Sequence, residues 1–313
     1  MRLKPNTVLA ITGPTASGKT ALSLAIASIP GMRAEIISAD SRQIYKGLDI
    51  GTAKPTPMEL AQIPHHFIDI CEPDESYNAG KFAKDAQDII ASLLQRNILP
   101  IIVGGSGLYV QALCEGFFDM PTEMEQAFMD ARVDVQEAYQ HIGKDALFEE
   151  LRRVDPQSCN DYPDKNPRRV MRALEFHKAT GKRFSEEKSA MMKHPTFNTI
   201  YVMIDRERSE LYARINQRCE EMWDGMVNET RTLIQKGLSQ SAQSFDTVGY
   251  AQAISFLNGE IDREIAIEEM KQATRHYAKR QITWSKRVDG MILLQGDITE
   301  MTHKSLQLLN ADA

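Results

Sequence analysis

The run Gly13-Pro14-Thr15-Ala16-Ser17-Gly18-Lys19-Thr20 constrains this chain more than any other stretch. It follows the apolar Val8-Leu9-Ala10-Ile11 and precedes Ala21-Leu22-Ser23-Leu24-Ala25-Ile26-Ala27, so the local order is strand, glycine-bearing loop, helix. The spacing is G-x-x-x-x-G-K-[ST] in full. Such a loop wraps a polyphosphate in backbone N–H groups, and its glycines allow the close approach and unusual dihedrals that the wrap requires. Lys19 supplies a point charge at the terminal phosphate. The hydroxyl of Thr20, in the first helical turn, can ligate Mg²⁺, and the positive end of the helix dipole faces the same anion. A phosphorylated ligand held by residues 13 to 20, with Mg²⁺ as cofactor and Thr20 as its protein ligand, is therefore expected.

The segments that follow alternate between strand and helix. Ala34-Glu35-Ile36-Ile37-Ser38-Ala39 reads as a second strand and ends in Asp40-Ser41-Arg42-Gln43, which places Asp40 at a carboxyl end of the sheet. A stretch punctuated by Gly47, Gly51, Pro55 and Pro57 predicts a loop over the site. His66 to Ile70 predicts a short strand, and Ala79 to Gln95 a helix with Phe82, Ala86, Ile89, Ile90 and Leu93 on one side. The apolar Pro100-Ile101-Ile102-Val103 has the pattern of a parallel strand covered on both faces, and it runs into Gly104-Gly105-Ser106-Gly107. That second glycine cluster lacks the G-x-G-x-x-G spacing of a dinucleotide site, and a structural turn accounts for it as well as a functional one does. The fold class predicted is α/β, a P-loop NTPase-like doubly wound parallel sheet whose ligands sit outside the carboxyl ends of the strands.

From Cys114 to about Pro195 the strand pattern lapses and helical spacing takes over, as at Leu147, Leu151 and Val154. This predicts a helical insertion over 114–195 in a core made of 1–113 and 196–313. The strand pattern returns at Thr199 to Asp205. A long helix then passes through Leu211, Ile215, Cys219, Met222 and Val227, with Arg214 and Arg218 one turn apart on one face. Another helix, Asp262 to Arg287, carries Lys271, Arg275 and Lys279 at spacing four and Met270, Tyr277 and Trp284 at spacing seven.

The formal net charge of −6 alone argues against a nucleic-acid partner. Its distribution argues the other way. Lys165 to Arg183 holds seven basic residues against one acid, Glu175, and Lys271 to Arg287 holds six against none. Two basic stripes remote from the phosphate loop have no use in a small-molecule kinase, which the loop alone would suggest; an RNA-binding NTPase switch is the third reading. The four cysteines lie far apart without a C-x-x-C pair, as expected of reduced thiols in a cytoplasmic protein. The N-terminus, with Arg2 and Lys4, has no secretory apolar region, and no run reaches the length of a membrane span.

Taken together, Gly13 to Thr20, Asp40 to Lys46, Gly51-Thr52-Ala53-Lys54-Pro55, Gly104 to Tyr109, Arg168 to Glu175, Val248-Gly249-Tyr250 and Ala278 to Trp284 resemble the bacterial tRNA dimethylallyltransferases, also called tRNA isopentenyltransferases. The matching blocks run in order from residue 13 to residue 284. The resemblance implies transfer of a dimethylallyl group from dimethylallyl diphosphate to N6 of adenosine 37 in tRNA, with diphosphate as the leaving group held by the loop. It implies a monomer acting in the cytoplasm, and the family is also described as binding ATP through the same loop. Asp40 matches the family's proposed general base, Arg218 the diphosphate-facing arginine of R-I-x-x-R, and Lys19 the loop lysine. Asp40, Ser41, Arg42, Gln43, Ser106, Arg132, Arg168, Arg169, Val170, Met171, Arg172, Asp246, Thr247, Val248, Gly249, Tyr250, Lys279 and Arg280 match tRNA-contacting positions. The insertion is similar to the family's anticodon stem-loop-binding domain. The match departs around Glu123 to Met129, where this chain is a few residues longer before Arg132, and before Gly225, where it is one residue shorter.

Overall fold

The computed structural model describes residues 3–118 and 124–310, so that Arg2 and Glu123 lie outside the described part. The first half of the main unit runs β1 (Thr7–Thr12), α1 (Lys19–Ala27), β2 (Ala34–Ser38), α2 (Pro57–Gln62), β3 (His65–His66), α3 (Ala79–Gln95), β4 (Leu99–Val103) and α4 (Gly107–Cys114). An inserted unit follows, with β5 (Phe117–Phe118), α5 (Glu125–Val154), α6 (Pro156–Asp161), α7 (Pro167–Thr180), α8 (Phe184–Glu187) and β6 (Met192–Lys193). The main unit resumes with β7 (Asn198–Ile204), α9 (Arg208–Gln235), α10 (Tyr250–Leu257), α11 (Arg263–Ser285), β8 (Ile292–Leu294) and α12 (Ile298–Leu309). The division falls at Glu115/Gly116 and His194/Pro195, within two residues of the boundaries read from composition.

The six strands of the main sheet lie in the order β3-β2-β4-β1-β7-β8, every neighbouring pair parallel. β1 is buried at all six positions, as a strand flanked by β4 and β7 and covered on both faces must be. Leu9, Ile11, Leu22, Ile26, Ile36, Ile101, Val202 and Ile204 form the core, closed by Met301 and Leu309 of α12. The chain first builds the sheet to one side of β1 and, after the insertion, to the other. The resulting switch point beside β1 is where an open α/β sheet presents its ligand crevice.

Expected and observed elements differ most at β3. The strand predicted over 66–70 ends at His66, because Phe67 and Asp69 adopt left-handed φ values of 65° and 55°. Their segment pairs with the loop after β2 instead, Asp69 N donating to Gln43 O and Cys71 N to Ile44 O. α3 spans the predicted residues, started by the Asn78 side chain accepting from Lys81 N. All four cysteines are buried and unpaired.

The inserted unit has a core of its own, built from Phe128, Val135, Leu147, Phe148, Leu151, Val170, Leu174, Phe176 and Phe184. Gly143 breaks the helical geometry of α5, with φ 75° and ψ 179°. Asp155 is buried, and its carboxylate accepts from both the N–H and the hydroxyl of Ser158 and of Ser185. These bonds favour the charged form, and the pKa lies below the usual carboxylate value although burial opposes it.

Candidate active site

The phosphate loop leaves β1 and closes on the N-terminus of α1. Gly18 has φ 104° and Ala16 φ 63°, both left-handed. Lys19 folds back over the loop, its Nζ donating to Gly13 O at 3.1 Å and Pro14 O at 2.8 Å. Two arginines hold the loop's carbonyls from outside: Arg206 Nε donates to Ser17 O at 2.6 Å and Arg214 Nε to Ala16 O at 2.8 Å. Glu210 pairs with Arg206 at 2.8 Å. The loop is thus braced on its carbonyl side, leaving N–H groups other than those of Thr15 and Ser17 for an anion. Ser17 Oγ is buried and makes no hydrogen bond, the expected state of a hydroxyl reserved for such a ligand.

Lys19, Asp40 and Arg218, the three residues predicted to be catalytic, come together here. Burial pushes the Lys19 amine down to about 8; Asp40 pulls it back up and Arg218 depresses it further, so both charges act on it. Arg218 is itself lowered by burial. Among the described residues its guanidinium has no hydrogen-bond or ion-pair partner. A desolvated arginine that feels the Asp40 charge but forms no ion pair among the described residues, beside a desolvated lysine, suits an anion.

Asp40 sits just past the end of β2. One carboxylate oxygen accepts from Arg42 N at 2.9 Å, so Asp40 does organise a turn, but that bond leaves the second oxygen uncommitted. The glycine turn after β4 abuts the same place: a Cβ on Gly104 would lie 2.1 Å from Ala39 O. Ser106 Oγ accepts from Ser41 N at 3.1 Å and lies 3.2 Å from Ser41 Oγ. The second glycine cluster therefore serves the site. The helix expected over 262–287 spans Arg263–Ser285, started by Asp262, and its aromatic face is not simply core: the Tyr277 hydroxyl lies within electrostatic reach of Asp40 and Ser106, and the Trp284 ring lies against Gly107.

Several expected tRNA contacts take other places. Val170 is 1% exposed in the inserted unit's core, and Tyr250 and Gly249 are buried, Tyr250 donating its hydroxyl hydrogen bond to Glu229. These three support the fold and offer no surface to RNA. Arg42 donates to Gln243 O and Asp246 O, at 2.8 and 3.3 Å, and Gln43 bonds Ser38, Thr52 and Ala53. Ser41, Ser106, Thr247 and Val248 retain partial or slight exposure, and Asp246, Lys279 and Arg280 are exposed. The loop predicted over the site is tied down instead by Ile50 N donating to Glu229 at 2.8 Å.

In the inserted unit the basic stripe is largely neutralised. Lys165 pairs with Asp145, Lys178 with Asp134, Lys182 with Glu187 and Arg183 with Glu186. Arg132 and Arg172 share the buried carboxylate of Glu175 at 3.8 and 3.6 Å. Arg172 also stacks on Phe118 and Phe128, and burial lowers its pKa. Met171 packs against the core. Arg168 and Arg169, in the first turn of α7, are exposed and have no ion-pair partner among the described residues.

Sequence reasoning missed Arg206, the loop-bracing role of Arg214, and Gln281. The spacing of Arg214 and Arg218 puts both on one face of α9, a signal that could have flagged the first as well as the second. Among the described residues no cluster of three or more His, Cys, Asp or Glu could hold a metal. The Thr20 hydroxyl, completed by substrate phosphate oxygens, fits a hard cation such as Mg²⁺. No helix among the described residues is long and apolar enough to cross a membrane.

A phosphate loop on a parallel sheet, with the Asp40 carboxylate and an arginine that has no ion-pair partner among the described residues, marks a site for a phosphorylated ligand. The IPP transferase family model matches residues 43–288, and the chain belongs to that family. It is 41% identical to a protein of Geobacillus thermodenitrificans named tRNA dimethylallyltransferase, over 88% of this chain and 86% of the other. A second of that name, from Salinibacter ruber, is 41% identical over 90% and 86%. A Staphylococcus epidermidis tRNA isopentenylpyrophosphate transferase structure superposes with a TM-score of 0.70, at 36% identity over 99% of this chain and 100% of that one. A eukaryotic dimethylallyltransferase acting on tRNA gives 0.78 at 26% identity, over 97% and 77%.

Proposed function

We propose that this protein transfers the dimethylallyl group of dimethylallyl diphosphate to N6 of adenosine 37 in the anticodon loop of tRNA. The observation that carries the reading is the mutual electrostatic influence of Lys19, Arg218 and Asp40 at one end of the sheet, two cations for a leaving diphosphate beside one carboxylate for the acceptor. The N6 lone pair attacks the allylic carbon, the carbon–oxygen bond breaks with its electron pair going to diphosphate, and the N6 proton passes to Asp40. An exocyclic amine delocalises its lone pair into the ring, so proton removal during attack raises its nucleophilicity. The loop N–H groups, Lys19 and Arg218 stabilise charge developing on the diphosphate. Mg²⁺, held by Thr20 together with phosphate oxygens, would neutralise part of that charge when bound.

The acceptor base must leave its stack to reach Asp40, which single-stranded loop nucleotides do at small cost. Arg168 and Arg169 in one unit and Lys279 in the other are uncommitted cations available to RNA phosphates, and Arg280, exposed while it packs over the Tyr277 ring, offers a further charge. The test is incubation with unmodified tRNA, dimethylallyl diphosphate and Mg²⁺, followed by mass spectrometry of the digested RNA. Isopentenyladenosine at position 37 is the expected product; unaltered RNA would refute the reading.

A further inference from the structure

Gln281 occupies a place that neither its helix nor the core needs. Its side chain leaves α11 and bridges two loops, Oε1 accepting from Thr15 N at 2.8 Å and Nε2 donating to Gly105 O at 3.0 Å. The residue is 6% exposed, so neither bond is readily replaced by water. A Cβ on Gly105 would lie 1.9 Å from Nε2, so residue 105 has to be glycine for the amide to fit. Thr15 belongs to the loop that holds the donor. Gly105 precedes Ser106, which accepts from Ser41 N, and Ser41 follows Asp40. One continuous chain of bonds therefore runs from the phosphate loop through Gln281 to the backbone beside the general base.

We infer that Gln281 is a positioning residue that sets the separation between the donor's reacting carbon and Asp40. This rests on the proposed function. The amide suits the task because it needs an acceptor on one side and a donor on the other, in a fixed plane and at full side-chain length; Asn is too short and a hydrocarbon offers neither. Displacement of reacting groups by about 1 Å can cost about 10²-fold in rate without loss of binding, since the groups that bind each substrate stay in place.

Two variants test this in the full-length protein, in single-turnover reactions with both substrates saturating. Gln281→Met keeps length and volume but removes both bonds, and should slow transfer by about 10- to 100-fold. The affinities for donor and for anticodon stem-loop, each measured alone, should stay within about threefold. Gln281→Glu places a carboxylate against Gly105 O at neutral pH; once protonated, that acid can again donate to Gly105 O and accept from Thr15 N. The ratio of its rate to that of the unaltered protein should therefore rise as pH falls from 8 to 6, a dependence that a merely structural role would not give. Gln281→Met transferring at the unaltered rate, or losing rate only in proportion to affinity, would overturn the inference, as would a pH-independent ratio for Gln281→Glu. If the unaltered protein does not prenylate RNA at all, the proposed function fails and this inference with it; an active unaltered protein whose rate the variants match sinks the inference alone.

Discussion

α7 and α11 carry the two basic stripes, and in sequence they look alike. In the structure they are used differently. The stripe around α7 is neutralised by Glu175 of α7 itself and by acids from elsewhere in its own unit, and among its described residues only Arg168 and Arg169 stay uncommitted. On α11, Lys271 is buried between Glu220 and Glu268, and Arg275 is spent on Asn216 and Tyr212. The exposed charges begin only at Lys279 and Arg280. The other side of α7 fills a local core, whereas that of α11 supplies Tyr277, Gln281 and Trp284 to the donor and acceptor loops. A count of basic residues thus overstates the surface available to phosphate, because acids distant in sequence neutralise part of it.

The largest expected effect lies at the site that α11 braces. Asp40→Asn keeps the turn-forming oxygen and removes the base, so single-turnover transfer should fall by ~10²–10⁴ with both affinities little changed. A defect rescued by raised Mg²⁺ would make Asp40 a metal residue instead.

Donor affinity should also depend on Lys19. Its free-enzyme pKa near 8 means that the amine loses its proton above pH 8, while bound diphosphate holds the proton on. Binding should weaken by about tenfold for each pH unit above about 8 and take up a proton near that pH. Calorimetry in buffers of different ionisation enthalpy measures that uptake; a donor affinity flat from pH 7 to 9.5 would contradict it.

The contrast within α7 is sharpened by salt titration. Removing Arg168 and Arg169 together should reduce the logarithmic salt slope of RNA binding by about 1.4 to 1.8, at about 0.7 to 0.9 per phosphate contact. Removing Lys178 and Lys182, each already paired, should alter the slope by less than half as much. Equal effects would mean that the acids do not shield the stripe. The smallest effect on RNA binding is expected of Val170→Ala, which should cost about 2 kcal/mol of stability by leaving a cavity, with an unchanged salt slope. Denaturant unfolding reads the first and binding isotherms the second.

Much of this was legible in sequence because it follows local rules. The phosphate loop, the period of α3, the apolar strands and the place of Asp40 at a strand end are set by neighbours in the chain, whereas the roles of Asp40 and Arg218 come from the resemblance of motif blocks to a known family. What escaped depends on distant partners. The left-handed Phe67 and Asp69, which end β3, are held by the loop after β2. Gln281 meets Thr15 across 266 positions and Arg214 meets Ala16 across 198. Val170 and Tyr250 stand in motif blocks whose spacing says nothing of which side chains face inward.

The central claim is that the phosphate loop serves a departing diphosphate, and it is tested most directly by stoichiometry. Unmodified tRNA, dimethylallyl diphosphate and ATP are supplied together with Mg²⁺, and diphosphate, orthophosphate and prenylated adenosine are quantified in the same reaction. One diphosphate for each dimethylallyl group transferred, with no orthophosphate drawn from ATP, is the result predicted. Orthophosphate release or phosphoryl transfer from ATP without prenylated RNA would contradict it.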